Sequence, residues 1–216
     1  MHEASTAELA MTITLAALRR IPDFVRAQDE HRWAQRFSDS LADRRVVLLG
    51  FGGVGKAIAS RLAGFEVELS AIATRARFED GVTVHAIDDL HMALADADVL
   101  IASLPGGDET RNVIDDAALS ALPDGALVVN VGRGALIDTN ALVDHVSRGR
   151  IRAALDVTDP EPPPAGHPLW SLPGVLISPH VGGASTAMKP RIARLIRRQI
   201  DRMLAGEPPL NLVIGG

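Results

Sequence analysis

A chain of 216 residues, 47% of them hydrophobic, can bury a full core and fits one large domain or two small ones. Its formal charge of -5 argues against a dedicated nucleic-acid binder, and the absence of cysteine removes disulfides and thiolate metal sites. No uninterrupted apolar run is long enough to span a bilayer, and Glu3 and Glu8 stand where a signal peptide carries basic residues, so the expected compartment is the cytoplasm.

In chain order, Ser5 followed by Glu8 reads as a capping box, and Leu9, Ala10, Ile13, Ala17 and Leu18 recur at helical spacing. A helix is predicted over 6–20, its apolar face packing either in the core or at a subunit interface. Pro22 interrupts it, and a more polar helical stretch through Val25, Trp33 and Phe37 leads to the first strand.

That strand, Val46-Val47-Leu48-Leu49, has no polar alternation and reads as buried on both faces. It runs into Gly50-Phe51-Gly52-Gly53-Val54-Gly55, a G-x-G-x-x-G turn on Gly50, Gly52 and Gly55 that opens a helix. Gly50 allows the sharp turn, Gly52 leaves room for a pyrophosphate, and Gly55 lets the helix pack on the strand. The free N–H groups of the helix start, from Gly53 and Val54 onward, would face the phosphates. Gly50 through Lys56 also fits the start of a P-loop, but that motif needs Ser or Thr next, to ligate magnesium, and the residue is Ala57.

The second strand, Val67–Ala73, ends at Thr74, Arg75 and Arg77. A carboxylate is expected there for NAD; a small hydroxyl residue flanked by arginines would instead attract a 2'-phosphate, which favours NADP over NAD. Further strands are predicted at Val82–Ala86, 99–103, 126–131, 151–157 and 175–178, with helices at 88–95, 115–121 and 139–148. The alternation implies right-handed crossovers and an α/β, three-layer, doubly wound parallel sheet. Pro160 to Pro164 form an extended loop, and no His or carboxylate group shows metal-ligand spacing.

Five motifs then stand in one order: the glycine turn; Leu104-Pro105 with Glu109-Thr110; Val129-Asn130-Val131-Gly132-Arg133-Gly134; Asp156 to Pro162; and Ser178-Pro179-His180-Val181-Gly182-Gly183. Together they resemble the D-isomer-specific 2-hydroxyacid dehydrogenases. The resemblance implies a Rossmann-type coenzyme domain over 1–216, with its core at 46–183. It makes Arg133 the substrate-orienting cation, Glu161 the partner of the catalytic histidine and His180 the general acid/base. Leu104, Pro105, Thr110, Val131, Gly182 and Gly183 would line the coenzyme, and Asp156 would stand on the nicotinamide side.

The chemistry implied asks for those residue types. Hydride moves between nicotinamide and C2 of a 2-hydroxy acid, so the C2 oxygen must exchange a proton, a step suited to histidine. A planar arginine fork matches the carboxylate and carbonyl of a 2-oxo acid. The family's N-terminal substrate-binding segment is missing, which leaves a fragment, a misassigned start and a free-standing coenzyme domain all open. The predicted closing helix, 186–204, would in the family return to that segment. The leading expectation is an NAD(P)-dependent oxidoreductase acting on a small 2-hydroxy or 2-oxo acid, as a homodimer without nucleic-acid or membrane partners. The alternative is a dinucleotide-sensing interaction protein resembling dehydrogenase-like corepressors.

Overall fold

The computed structural model describes residues 3–210. Eight strands form one sheet: β1 (Arg44–Leu49), β2 (Val67–Ala73), β3 (Arg77–Glu79), β4 (Val82–Ala86), β5 (Val99–Ala102), β6 (Leu127–Asn130), β7 (Arg152–Leu155) and β8 (Val175–Ile177). Their order is β3-β4-β2-β1-β5-β6-β7-β8, with every pairing parallel except β3 with β4. The central strands are short runs of Val, Leu, Ile and Ala because helices cover both faces. Leu48, Leu49, Ile101 and Leu127 are fully buried, each contributing about 1.5–3 kcal/mol by burial.

The helices are α1 (Glu3–Leu18), α2 (Ile21–Asp29), α3 (Gly53–Leu62), α4 (Leu90–Leu94), α5 (Asp116–Ala121), α6 (Thr139–Ser147) and α7 (Met188–Leu204). α1 and α3 pack on one face of the sheet, with Ala10, Ile13, Leu18, Ile58 and Leu62 in a single core. α4, α5 and α6 cover the other face through Leu94, Leu119, Leu142 and Val146. The fold is therefore the expected three-layer Rossmann-type sheet. Helix starts follow their caps: the Asp115 carboxylate accepts from Ala118 N, and that of Asp138 from Asn140 N and Ala141 N.

Several expectations change. α1 begins at Glu3, so Ser5 lies inside the helix, its hydroxyl 2.6 Å from that of Ser185, and no capping box forms. The apolar face of α1, with Ala7, Ala10, Ile13 and Leu18, lies in the chain's own core. The helix is interrupted as expected, ending at Leu18 with Arg19 and Arg20 between it and α2, and Pro22 sits in the first turn of α2, where its missing N–H is no loss. α2 stops at Asp29, and Trp33 and Phe37, read as helical, lie outside any helix or strand with 95% and 103% exposure. The helix expected at 88–95 is a 3-10 turn over Ile87–Asp89 that leads into α4. The closing helix starts at Met188 instead of 186. β3 was not foreseen, because three residues of mixed polarity give no strand signal until β4 pairs with them.

Candidate active site

β1 lies where the strand order reverses, with β2 on one side and β5 on the other. In such sheets a crevice opens beyond the carboxyl ends of the strands at this point. The glycine turn follows β1 and residues 103–105 follow β5, so both walls of that crevice come from sequence-predicted motifs. Gly50 adopts a left-handed φ of 104°. A Cβ on Gly55 would come within 2.0 Å of the Gly50 carbonyl oxygen, so only glycine lets α3 pack so close to the turn. A Cβ on Gly52 would meet no atom within 4 Å, which leaves that flank of the turn open beside the first N–H groups of α3. The residues thus fit a nicotinamide dinucleotide: an open side-chain-free cradle at a helix N-terminus, beside the switch point. Glu3 leans on the same turn, its Cγ 2.9 Å from where a Gly53 Cβ would stand.

Across the crevice, Ser103 donates to the Gly50 carbonyl at 3.2 Å and ties the two walls together. The Thr110 hydroxyl lies 3.0 Å from the Pro105 carbonyl and 3.1 Å from that of Gly107, shaping the loop after Leu104 and Pro105. Val131 is buried at the end of β6. Thr74 and Arg75 sit exposed beyond β2. Arg77 is different: it lies in β3, donates to Glu79 at 2.7 Å and to the Arg75 carbonyl at 3.1 Å. Lys56, the lysine of the rival P-loop pattern, is also held by Glu79, at 2.5 Å. The hydrogen bond and charge of Glu79 raise the pKa of Lys56, while Lys56 and then Arg77 lower that of Glu79.

The three residues expected to act on substrate come from the ends of β6, β7 and β8, on the same edge of the sheet. His180 Nδ1 lies 2.5 Å from Glu161 Oε1, and both side chains are exposed. His180 has a left-handed φ of 52°, and its backbone N–H donates to the Asp156 carbonyl at 2.8 Å. Asp156, 3% exposed, holds this loop: its carboxylate accepts from the Ser178 hydroxyl at 2.7 Å and from Val181 N and Gly182 N at 2.9 Å each. These bonds explain why a carboxylate is buried here. The geometry gives Asp156 a part in placing His180 that the sequence reading did not include. Gly182 packs against that carboxylate, and Gly183 follows it in the same turn.

Arg133 is exposed beyond β6, its Nη1 donating to the Gly132 carbonyl at 2.7 Å and its stem packed over Gly106. Asn130, 1% exposed, fixes the turn: its side-chain oxygen accepts from Gly132 N at 3.0 Å and its amide donates to the Arg133 carbonyl at 2.9 Å. Sequence reasoning quoted Asn130 within a motif yet gave it no role. A polar residue closing a fully apolar strand was the available signal. A Cβ on Gly134 would lie 1.9 Å from the Thr158 carbonyl oxygen, so this glycine lets the Arg133 turn abut the loop that carries Glu161. Thr139 then donates to the Asp159 carbonyl at 2.7 Å and fastens that loop. Among the described residues no cluster of His, Asp or Glu could hold a metal ion.

The arrangement brings the His180 imidazole, the Glu161 carboxylate and the Arg133 guanidinium to the strand-end side of the sheet that also carries the glycine turn. The family model for the D-isomer specific 2-hydroxyacid dehydrogenase, NAD binding domain, matches residues 11–182. The D-3-phosphoglycerate dehydrogenase of Mycobacterium bovis is 34% identical over 98% of this chain and 41% of its own length. The glyoxylate reductase of Thermofilum pendens is 30% identical over 97% of this chain and 64% of its own. A D-isomer specific 2-hydroxyacid dehydrogenase from Xanthobacter autotrophicus Py2, crystallised with NADPH and MES, superimposes with a TM-score of 0.85. It is 35% identical, and the match covers 99% of this chain and 88% of that one. The chain spans about two fifths of the length of the phosphoglycerate dehydrogenases it matches.

Proposed function

Because the chain belongs to the D-isomer specific 2-hydroxyacid dehydrogenase family, whose NAD-binding domain it carries, we propose that it holds a nicotinamide dinucleotide in the β1–β5 crevice. There it serves hydride transfer to or from a small 2-hydroxy or 2-oxo acid. The observation that carries this reading is the 2.5 Å contact of His180 with Glu161 on the strand-end edge that also bears Arg133 and the glycine turn.

The bound coenzyme would supply the hydride acceptor or donor. In the oxidising direction His180 takes the proton of the C2 hydroxyl, and in the reducing direction it returns one to the C2 oxygen. With Nδ1–H donated to Glu161, Nε2 is the nitrogen left for that exchange. Arg133 keeps guanidinium donors beyond the one bonded to Gly132, enough to grip the substrate carboxylate. Asp156 and Asn130 hold the two turns in place by their hydrogen bonds, so little reorganisation is needed when substrate enters.

Arg75, exposed two residues beyond β2 and without an ion pair among the described residues, supports NADP as the preferred coenzyme. We place the protein in the cytoplasm as a homodimer; no described helix is long and apolar enough to cross a membrane. The relatives named above are reductases and dehydrogenases, and the interaction-protein reading is set aside. Calorimetric titration with NADPH and NADH, followed by assay of glyoxylate and hydroxypyruvate reduction, tests the proposal. Coenzyme binding is expected, and it should survive better than turnover. Folded protein that takes up neither dinucleotide would overturn it.

A further inference from the structure

We propose that Glu79 tempers the preference for NADP, by occupying two of the cations that would otherwise receive a phosphate on the adenosine ribose. This deepens the reading that the glycine turn holds a nicotinamide dinucleotide and rests on it. The cluster begins with Phe51, the residue between the first two glycines of the motif, whose buried ring lies 5.9 Å below both Lys56 Nζ and the Arg77 guanidinium. Phe51 thus gathers two cations at the corner where the glycine turn, the first turn of α3 and the chain leaving β2 meet.

Glu79 divides its two oxygens between them. Oε1 faces Lys56 Nζ at 2.5 Å and Oε2 faces Arg77 Nε at 2.7 Å, while Asp80 approaches Lys56 at 3.6 Å. An ammonium and a guanidinium converging on one set of oxygens form a donor pair that a phosphate monoester would also satisfy. Glu79 therefore acts as a built-in competitor carried on β3, the antiparallel edge strand. Arg75, two residues before Arg77, is exposed and enters no salt bridge among the described residues. In the chain as it stands, discrimination for the 2'-phosphate falls to Arg75, and the field of the other two cations is cancelled by Glu79.

The test is E79Q, which keeps the shape and removes the charge, with E79S as a second variant so that the outcome does not hang on one substitution. Dissociation constants for NADPH and NADH are measured by calorimetry at low salt. Removing one negative charge near a doubly charged phosphate should shift their ratio toward NADPH by on the order of tenfold. Adding Lys56→Met to E79Q should take back a large part of that gain, and raising the salt should shrink it. An unmoved ratio, or equal changes in both affinities, would overturn the assignment of Glu79 alone and leave it a structural residue of the edge hairpin. If the unsubstituted chain bound neither dinucleotide, the coenzyme reading would fall and this proposal with it.

Discussion

Gly52 and Gly55 belong to one motif but lack side chains for different reasons, and that difference is measurable. A side chain at Gly55 collides with the Gly50 carbonyl, whereas one at Gly52 projects into open space. Gly55→Ala should therefore lower both thermal stability and coenzyme affinity, because α3 must move off the turn. Gly52→Val should leave the melting temperature nearly unchanged and abolish dinucleotide binding, since only the ligand competes for that space. Melting curves and calorimetry on the two variants check this; a destabilised Gly52→Val, or unaltered binding by it, would contradict the placement of the pyrophosphate. His180→Ala separates chemistry from binding in the same manner. With the imidazole gone and Asp156 still bonded to the loop backbone, kcat should fall by about 10²–10⁴ with NADPH affinity within twofold. Equal loss of both would mean that His180 only shapes its loop.

At the scale of elements, α5 and α6 are joined by Arg150, a residue outside every motif. Its guanidinium donates to the carbonyls of Leu119 and Leu122 at the end of α5, and its Nε donates to Nδ1 of buried His145 at 2.8 Å. His145 in turn donates from Nε2 to Asp116 at 3.0 Å. One side chain thus terminates one helix and orients a histidine of the next. Arg150→Ala strands those carbonyls without donors and should cost about 2–4 kcal/mol of unfolding free energy. Denaturant melts would show this, with NADPH affinity unchanged because the network lies away from the strand ends that carry the site. A loss below about 1 kcal/mol, the value of a surface pair, would mean that water replaces the arginine. The contrast with the motifs shows what is legible. β1, the glycine turn and α3 could be read directly, because an apolar run, three glycines and a helical pattern agree locally. Arg150, Asn130 and the loop-holding role of Asp156 could not, since each depends on backbone groups that only the folded chain brings near. The edge strand β3 was invisible for the same reason, and with it the pairing that turns Arg77 toward Glu79.

For the molecule as a whole, the alternation of strand and helix was enough to order the layers, but it could not say which apolar residues stay outside. The spacing of Val25, Trp33 and Phe37 suits a helix face, yet the helix ends at Asp29 and the chain beyond it carries no regular element up to β1, though Ser38 and Asp39 bond back to Arg19 and Arg152. Ile21, Val25, Trp33 and Phe37 all remain exposed. Beside them, at the end of the strands opposite the candidate active site, lies a cleft of about 1130 Å³ whose walls combine Phe24, Leu172 and Leu176 with Phe37 itself and with arginines and carboxylates such as Arg36, Asp39 and Arg152. Each copy of the chain thus presents Trp33 beside a cleft that Phe37 helps to wall, a self-complementary patch of the kind that two copies can cover by a two-fold contact. Burying Trp33 and Phe37 from both copies covers roughly 600–1,000 Å² at 150–250 Å² per ring, about half of what a stable interface of 1,200–2,000 Å² requires. α2 and the cleft walls would supply the remainder. Sedimentation equilibrium at micromolar concentration should accordingly show a dimer, and the double variant Trp33→Ser with Phe37→Ser should sediment as a folded monomer. Because the cleft and the glycine turn lie at opposite ends of the strands, that monomer should keep its NADPH affinity within about threefold, a shift of under 1 kcal/mol. A variant that stays dimeric would move the interface elsewhere, and a monomeric parent chain would remove it.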